Sequence, residues 1–203
     1  MKLKKIIASL LIVAALCAVS IAGTLAYFTD EVTTRNVITS GNVAIVLNEK
    51  TTGGLDFPAE GIDGVMPGSG VDKIVSVTNT GSGTAWIRVK VDTIIKSADG
   101  EALPLQTEDG KDVVVLNFND KAADETDKSH KWFYVDGYWY YSVALKPGQT
   151  SSVLFDTVTF APEMDNAYQG SEIQVEVSAQ AVQVANNIPE GGRIDKIAGW
   201  PEA

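Results

Sequence analysis

The stretch Trp132–Leu145, WFYVDGYWYYSVAL, decides the fold class. Aromatic residues dominate both halves, and Asp136–Gly137 between them asks for a two-residue turn with positive φ, which glycine supplies without steric cost. This is the strongest hairpin signal in the chain. Outward from it, the same period of two recurs. Ala85–Ile95 (AWIRVKVDTII) sends Ile87, Val89 and Val91 one way and Arg88, Lys90 and Asp92 the other, predicting an antiparallel sheet with one wet face. Ile173–Val184 (IQVEVSAQAVQV) sets Ile173, Val175, Val177, Ala179 and Ala181 against Gln174, Glu176, Ser178 and Gln180.

Shorter runs at Val37–Leu47, Val71–Thr80, Val113–Phe118 and Val153–Ala161 fill the intervals. The turn Asn79–Thr84 suggests a hairpin between its flanking strands, with strands in opposite sheets as the alternative. Thr51–Gly70 reads as a long loop, and Asn119–Lys131 as a short helix or an ordered polar insertion. With about eight short strands and no βαβ alternation, the expected fold is all-β: a two-sheet antiparallel sandwich of jelly-roll or Greek-key type.

The N-terminus reads as an export signal helix over residues 1–26. Lys2, Lys4 and Lys5 precede an apolar run, and Thr24 and Ala26 stand at −3 and −1 of a cut between Ala26 and Tyr27. The alternative is a retained anchor, with membrane contact only through the uncleaved signal. Cleavage removes three lysines and no acid, which takes the formal charge from −10 to −13. That charge argues against nucleic acid and anionic membranes. The single cysteine, Cys17, leaves with the signal, so no disulfide is expected.

No catalytic signature stands out, and no catalytic residue, cofactor or metal ligand is assigned. His130 is the only histidine, and with no cysteine in the mature chain a zinc centre lacks ligands. Asp120, Asp124, Glu125 and Asp127 cluster without the spacing of a calcium loop, and a solvated acidic face accounts for them. The aromatic run includes Trp139 and Tyr141 as candidate surface aromatics for a sugar or a partner, set against an ordinary division between core and cross-strand pairs. Asn186–Ala203 is expected to be a mobile polar tail, except near Trp200.

Several segments resemble the TasA/CalY (camelysin) family of exported Gram-positive proteins, processed by a dedicated SipW-type signal peptidase. They are KLKK, Gly23–Thr24–Leu25–Ala26, Tyr27–Phe28–Thr29–Asp30, Asn36, Ser40–Gly41 and Val43–Leu47. Met66–Pro67–Gly68, Asn79–Ser82, Ala85–Val89, Leu145–Gly148 and Gln180–Gln183 continue the likeness along the chain. The resemblance implies a jelly-roll subunit of extracellular biofilm-matrix fibres, or a protein retained at the cell surface. In such fibres the N-terminal segment of one copy adds as a strand to the next, giving a head-to-tail homopolymer. Carried onto this chain, the donor segment is 27–38, with Tyr27, Phe28, Thr29, Asp30, Val32, Val37 and Ile38 as its contacting residues; the jelly roll covers 39–185 and the tail 186–203. A SipW-type peptidase and a minor matrix or anchor protein are the other implied partners. Some family members are labelled metallopeptidases; the ligand count above argues against that activity here. A surface-binding module for glycans or proteins remains the alternative of a different class.

Overall fold

The computed structural model describes residues 35–36, 43–58, 66–119, 121–122, 128–164 and 166–201. The export signal, its cut site and most of the segment 27–38 therefore lie outside the described residues. Ten strands carry the described chain: β1 (Arg35–Asn36), β2 (Ile45–Lys50), β3 (Gly70–Asp72), β4 (Ile74–Asn79), β5 (Ala85–Lys96), β6 (Val114–Phe118), β7 (Trp132–Val135), β8 (Tyr138–Tyr141), β9 (Phe155–Phe160) and β10 (Glu172–Gln183). The only helical segments among the described residues are three short 3-10 turns. The all-β expectation holds.

One sheet has five strands in the order β1-β10-β5-β8-β7. Its spine is the twelve-residue antiparallel pairing of β10 with β5, from Glu172 opposite Lys96 to Gln183 opposite Ala85. The hairpin of β7 and β8 forms as expected, and Asp136 and Gly137 both take positive φ, 49° and 84°. Glycine is needed at the second position because a Cβ there crowds the backbone.

The other sheet assembles around β9. It pairs with β6 on one side and β3 on the other, and β2 pairs with β4. β3 and β4 form a single rail interrupted at Lys73. Amide hydrogen bonds from Lys73 to Asp156, from Leu154 to Val75, from Ser151 to Val77 and from Asn79 to Gln149 run beside it. The functional order is thus β2, β3/β4, β9, β6. At the interruption the Lys73 ammonium lies 3.2 Å from Glu49 and over the Phe57 ring. Both charges are nearly buried, and each needs the other there.

The two sheets close on one core. Ile45, Leu47, Val75, Val77, Leu154, Phe155 and Val158 come from one sheet; Ile87, Val89, Trp132, Tyr141, Val177, Ala179 and Ala181 come from the other. Val43, Ile45 and Leu47 are buried as their alternation predicts. The hairpin suggested for Asn79–Thr84 does not form: the turn passes between sheets, since β4 pairs with β2 and β5 with β10 and β8. The Asn79 side chain fixes that passage. Its amide donates to the Gly83 and Leu145 carbonyls, and its oxygen accepts from the Gly81 amide. Buried in full, it replaces hydrogen bonds that water would otherwise supply.

Two expectations about the outside of the five-stranded sheet need correction. The face bearing Arg88 is wet at Lys90 and Asp92, whose side chains are 42% and 47% exposed, but not at Arg88, which is only 7% exposed. The segment after β10 is not a loose tail either. Ile194 is fully buried and Ile197 nearly so, packed with Phe133, Tyr138, Tyr140 and Val182 in a second apolar cluster. The five-stranded sheet is therefore covered on both faces at this end.

Candidate functional site

The two edges of the five-stranded sheet are where another strand can add, because edge N–H and C=O groups lack ladder partners. At the β7 edge another part of the chain comes alongside at Trp132. After β6 the chain leaves its sheet, with the Asn119 amide on the Leu154 carbonyl, and Lys121 comes alongside Trp132 in a parallel bridge. The Ala122 amide then donates to the Trp132 carbonyl at 2.7 Å.

The β10 edge is different. Its described neighbour is β1, which pairs in parallel at two positions, Arg35 with Ser178 and Asn36 with Ala179. β10 is twelve residues long, and among the described residues the rest of its outer edge has no strand against it. All the other ladders between described strands are antiparallel. The inner side chains of β10 at this point, Val177, Ala179 and Ala181, are in the core, so the edge is held in place by packing.

Tyr27, Phe28, Thr29, Asp30, Val32, Val37 and Ile38 lie outside the described residues, as do Ala26 and the cut site. Of the segment 27–38, Arg35 and Asn36 are placed, and they are placed on this edge. Sequence reasoning missed them because RN carries no period and no strand propensity.

The candidate surface aromatics divide. Tyr141 is 2% exposed, packed against Trp132 with its hydroxyl accepting from the Ser152 amide, so its assignment to the surface is wrong. Trp139 is half-buried, stacked on Phe118 at 4.2 Å between ring centres. The exposed ring is Tyr134, tilted against Trp139 at 5.2 Å. Lys121 lies over the Phe118 and Trp139 rings. The alternation that singled out Trp139 also sends Tyr141 inward, and Tyr134 is its cross-strand partner.

His130 is exposed, with positive φ, and its ring lies 6.3 Å from that of Tyr141. Asp120, Asp124, Glu125 and Asp127 lie outside the described residues. Among the described residues no three His, Cys, Asp or Glu side chains gather as a metal site requires, and no helix is long and apolar enough to cross a membrane.

The second polar feature is at Arg88. Its guanidinium donates to Gln180 Oε1 at 2.7 Å, to the Pro201 carbonyl at 2.6 Å and to the Tyr140 hydroxyl at 3.4 Å. It also lies 3.9 Å from the centre of the Tyr138 ring and 4.9 Å from that of Trp200. No carboxylate pairs with it among the described residues. Nearby, burial pushes the Asp195 carboxyl up, but the hydrogen bonds and charge of Arg193 and then Lys196 outweigh it and hold the group below its ordinary value.

No protein-family model matches this chain, and neither a curated protein nor a solved structure is significantly similar to it.

Proposed function

We propose that the chain is a secreted structural subunit of extracellular biofilm-matrix fibres, and that it polymerises by adding its N-terminal segment to the sheet edge of the next copy. The observation that carries this reading is the parallel pairing of Arg35–Asn36 with Ser178–Ala179 on the long β10 edge. A segment that pairs with this edge in one chain can pair with the same edge in another, since main-chain hydrogen bonds do not depend on chain connectivity. Such a contact is head-to-tail and does not close, so it propagates as a filament. In this reading the sandwich is a jelly roll, a SipW-type peptidase frees the segment by cutting after Ala26, and a minor matrix or anchor protein supplies the base. The reading invokes no enzymatic step and no cofactor.

The test is electron microscopy of protein beginning at Tyr27 beside protein beginning at Val37. Fibres are expected from the first and none from the second. Equal polymerisation of both sinks the donor-strand mechanism.

A surface-binding module is the second reading, and the exposed Tyr134 ring beside Trp139 and Lys121 favours it. An aromatic face with an adjacent cation suits a sugar ring or an acidic partner. Under this reading Tyr134→Ala abolishes ligand binding and leaves assembly intact.

A further inference from the structure

The segment that covers the outer face of the five-stranded sheet is built as a unit in its own right. Its two 3-10 turns, Glu190–Gly192 and Ile194–Lys196, are followed by Trp200, whose indole N–H donates to the Ile194 carbonyl at 2.9 Å. Asp195, with its side chain only 2% exposed, takes both Arg193 and Lys196 from within the segment. Gly199 lies so close to Asn187 that a Cβ there would overlap its side-chain amide, so the segment folds back on its own start. Most of its polar needs are met internally.

Its attachment to the sheet is made of separable anchors. Trp86 Nε1 donates to the Asn187 carbonyl at 3.0 Å, and Arg88 donates to the Pro201 carbonyl. Ile194, Ile197 and Trp200 fill the apolar space against Phe133, Tyr138, Tyr140 and Val182. Trp200 packs edge-on to Tyr140, 5.7 Å between centres. None of these contacts requires that the segment and the sheet belong to one chain.

The link between them is short and bent. The Val184 amide still bonds the Thr84 carbonyl, and docking begins at Asn187. Between them Asn186 takes φ of 65°, a left-handed conformation that asparagine adopts more readily than other non-glycine residues and that turns the chain sharply. A short, sharply turned link between a sheet and a docked terminal segment is the setting in which such a segment is exchanged between identical chains.

We infer that residues 187–201 are an exchangeable docking segment, and that the Trp86–Arg88–Tyr140 face accepts the same segment from a second copy. This face is distinct from the β10 edge, which meets β1 at Ser178 and Ala179, so both can be occupied in one copy. The inference does not rest on the fibre reading. It adds a lateral contact between copies, whatever the N-terminal segment does.

Complementation separates the two. Arg88→Met damages the acceptor face and leaves the segment whole; Trp200→Ala damages the segment and leaves the face whole. Native mass spectrometry of the two full-length variants, alone and mixed, is expected to show a pair present only in the mixture, because only the mixture contains an intact segment and an intact face. An excess of synthetic peptide of residues 187–201 should disperse it. Strand addition by the N-terminus occurs in each variant alone and cannot mimic a species unique to the mixture. Should either variant fail to give a folded near-ultraviolet spectrum, the unsubstituted chain takes its place, with fluorescent 187–201 peptide as the probe and saturable uptake expected. Absence of a mixture-specific pair from folded variants, or of peptide uptake by the unsubstituted chain, confines the segment to its own chain and overturns the inference.

Discussion

The five-stranded sheet ends in a parallel contact at both of its edges, yet the two ends are built differently. At β7 the covering residues, Lys121 and Ala122, arrive from the neighbouring sheet and are tied in by the Ala122–Trp132 hydrogen bond. At β10 the covering residues, Arg35 and Asn36, meet two of twelve positions. At the first edge the contact falls at Trp132, which is itself in the core; the second is supported from within by Val177, Ala179 and Ala181 and, among the described residues, is met from outside at Ser178 and Ala179. The strand addition proposed above draws on this difference.

The largest break in this comparison comes from Trp132→Ala. Trp132 is fully buried, packs on Tyr141 and donates to the Ser152 carbonyl at 3.0 Å. Its truncation should lower unfolding stability by about 3–5 kcal/mol, measured in denaturant, and open the β7 edge to aggregation. Arg88→Met comes next. It strands the Pro201 carbonyl and removes two ring contacts, and a loss of about 2 kcal/mol is expected. The same variant should leave strand addition at β10 untouched, because Arg88 is on the sheet's face and not at its edge.

Acidification separates the outer segment from the core. The folded Asp195 carboxyl is held below its ordinary value, so its contribution is present above that value and is lost as pH falls through the lower, folded one. Stability should therefore weaken below about pH 4, and Asp195→Asn should flatten that part of the profile. Thermal unfolding followed against pH decides this. The smallest effect is expected at Gly137→Ala, which forces a Cβ into φ of 84° at the hairpin turn and costs about 1 kcal/mol, with the contact at Trp132 kept.

Much of this was legible in the sequence. The alternation in Ala85–Ile95 and Ile173–Val184 placed the longest strands, and Asp136–Gly137 placed the hairpin. The passage from β4 to β5 was misread as a hairpin, because a short glycine-rich turn serves a hairpin and a crossover equally well. What decides it is the buried Asn79 side chain, a tertiary feature. Tyr141 was misassigned to the surface. β8 has an aromatic residue at every position because both of its faces are covered: Trp139 and Tyr141 face the core, and Tyr138 and Tyr140 face the outer cluster. The outer cover was missed because its anchors Ile194, Ile197 and Trp200, three residues apart, make too short an apolar run among glycines, prolines and charges to announce a packed segment. Arg88 looked solvent-facing because its partners are carbonyls, an amide and rings, and no acid at matching register announces them. At β1, two polar residues are placed by the edge they meet and by nothing in their own pattern.

The proposed fibre contact requires that the β10 edge accept residues 27–38 as a strand. Titration of the synthetic 27–38 peptide into protein beginning at Val37, followed by isothermal calorimetry, tests it most directly. Saturable binding at one peptide per chain is expected, with new amide protection along Glu172–Ala181, the span that the Arg35–Ser178 register assigns to residues 29–38. A folded chain that takes up no peptide, or that binds it without protecting β10, would contradict it.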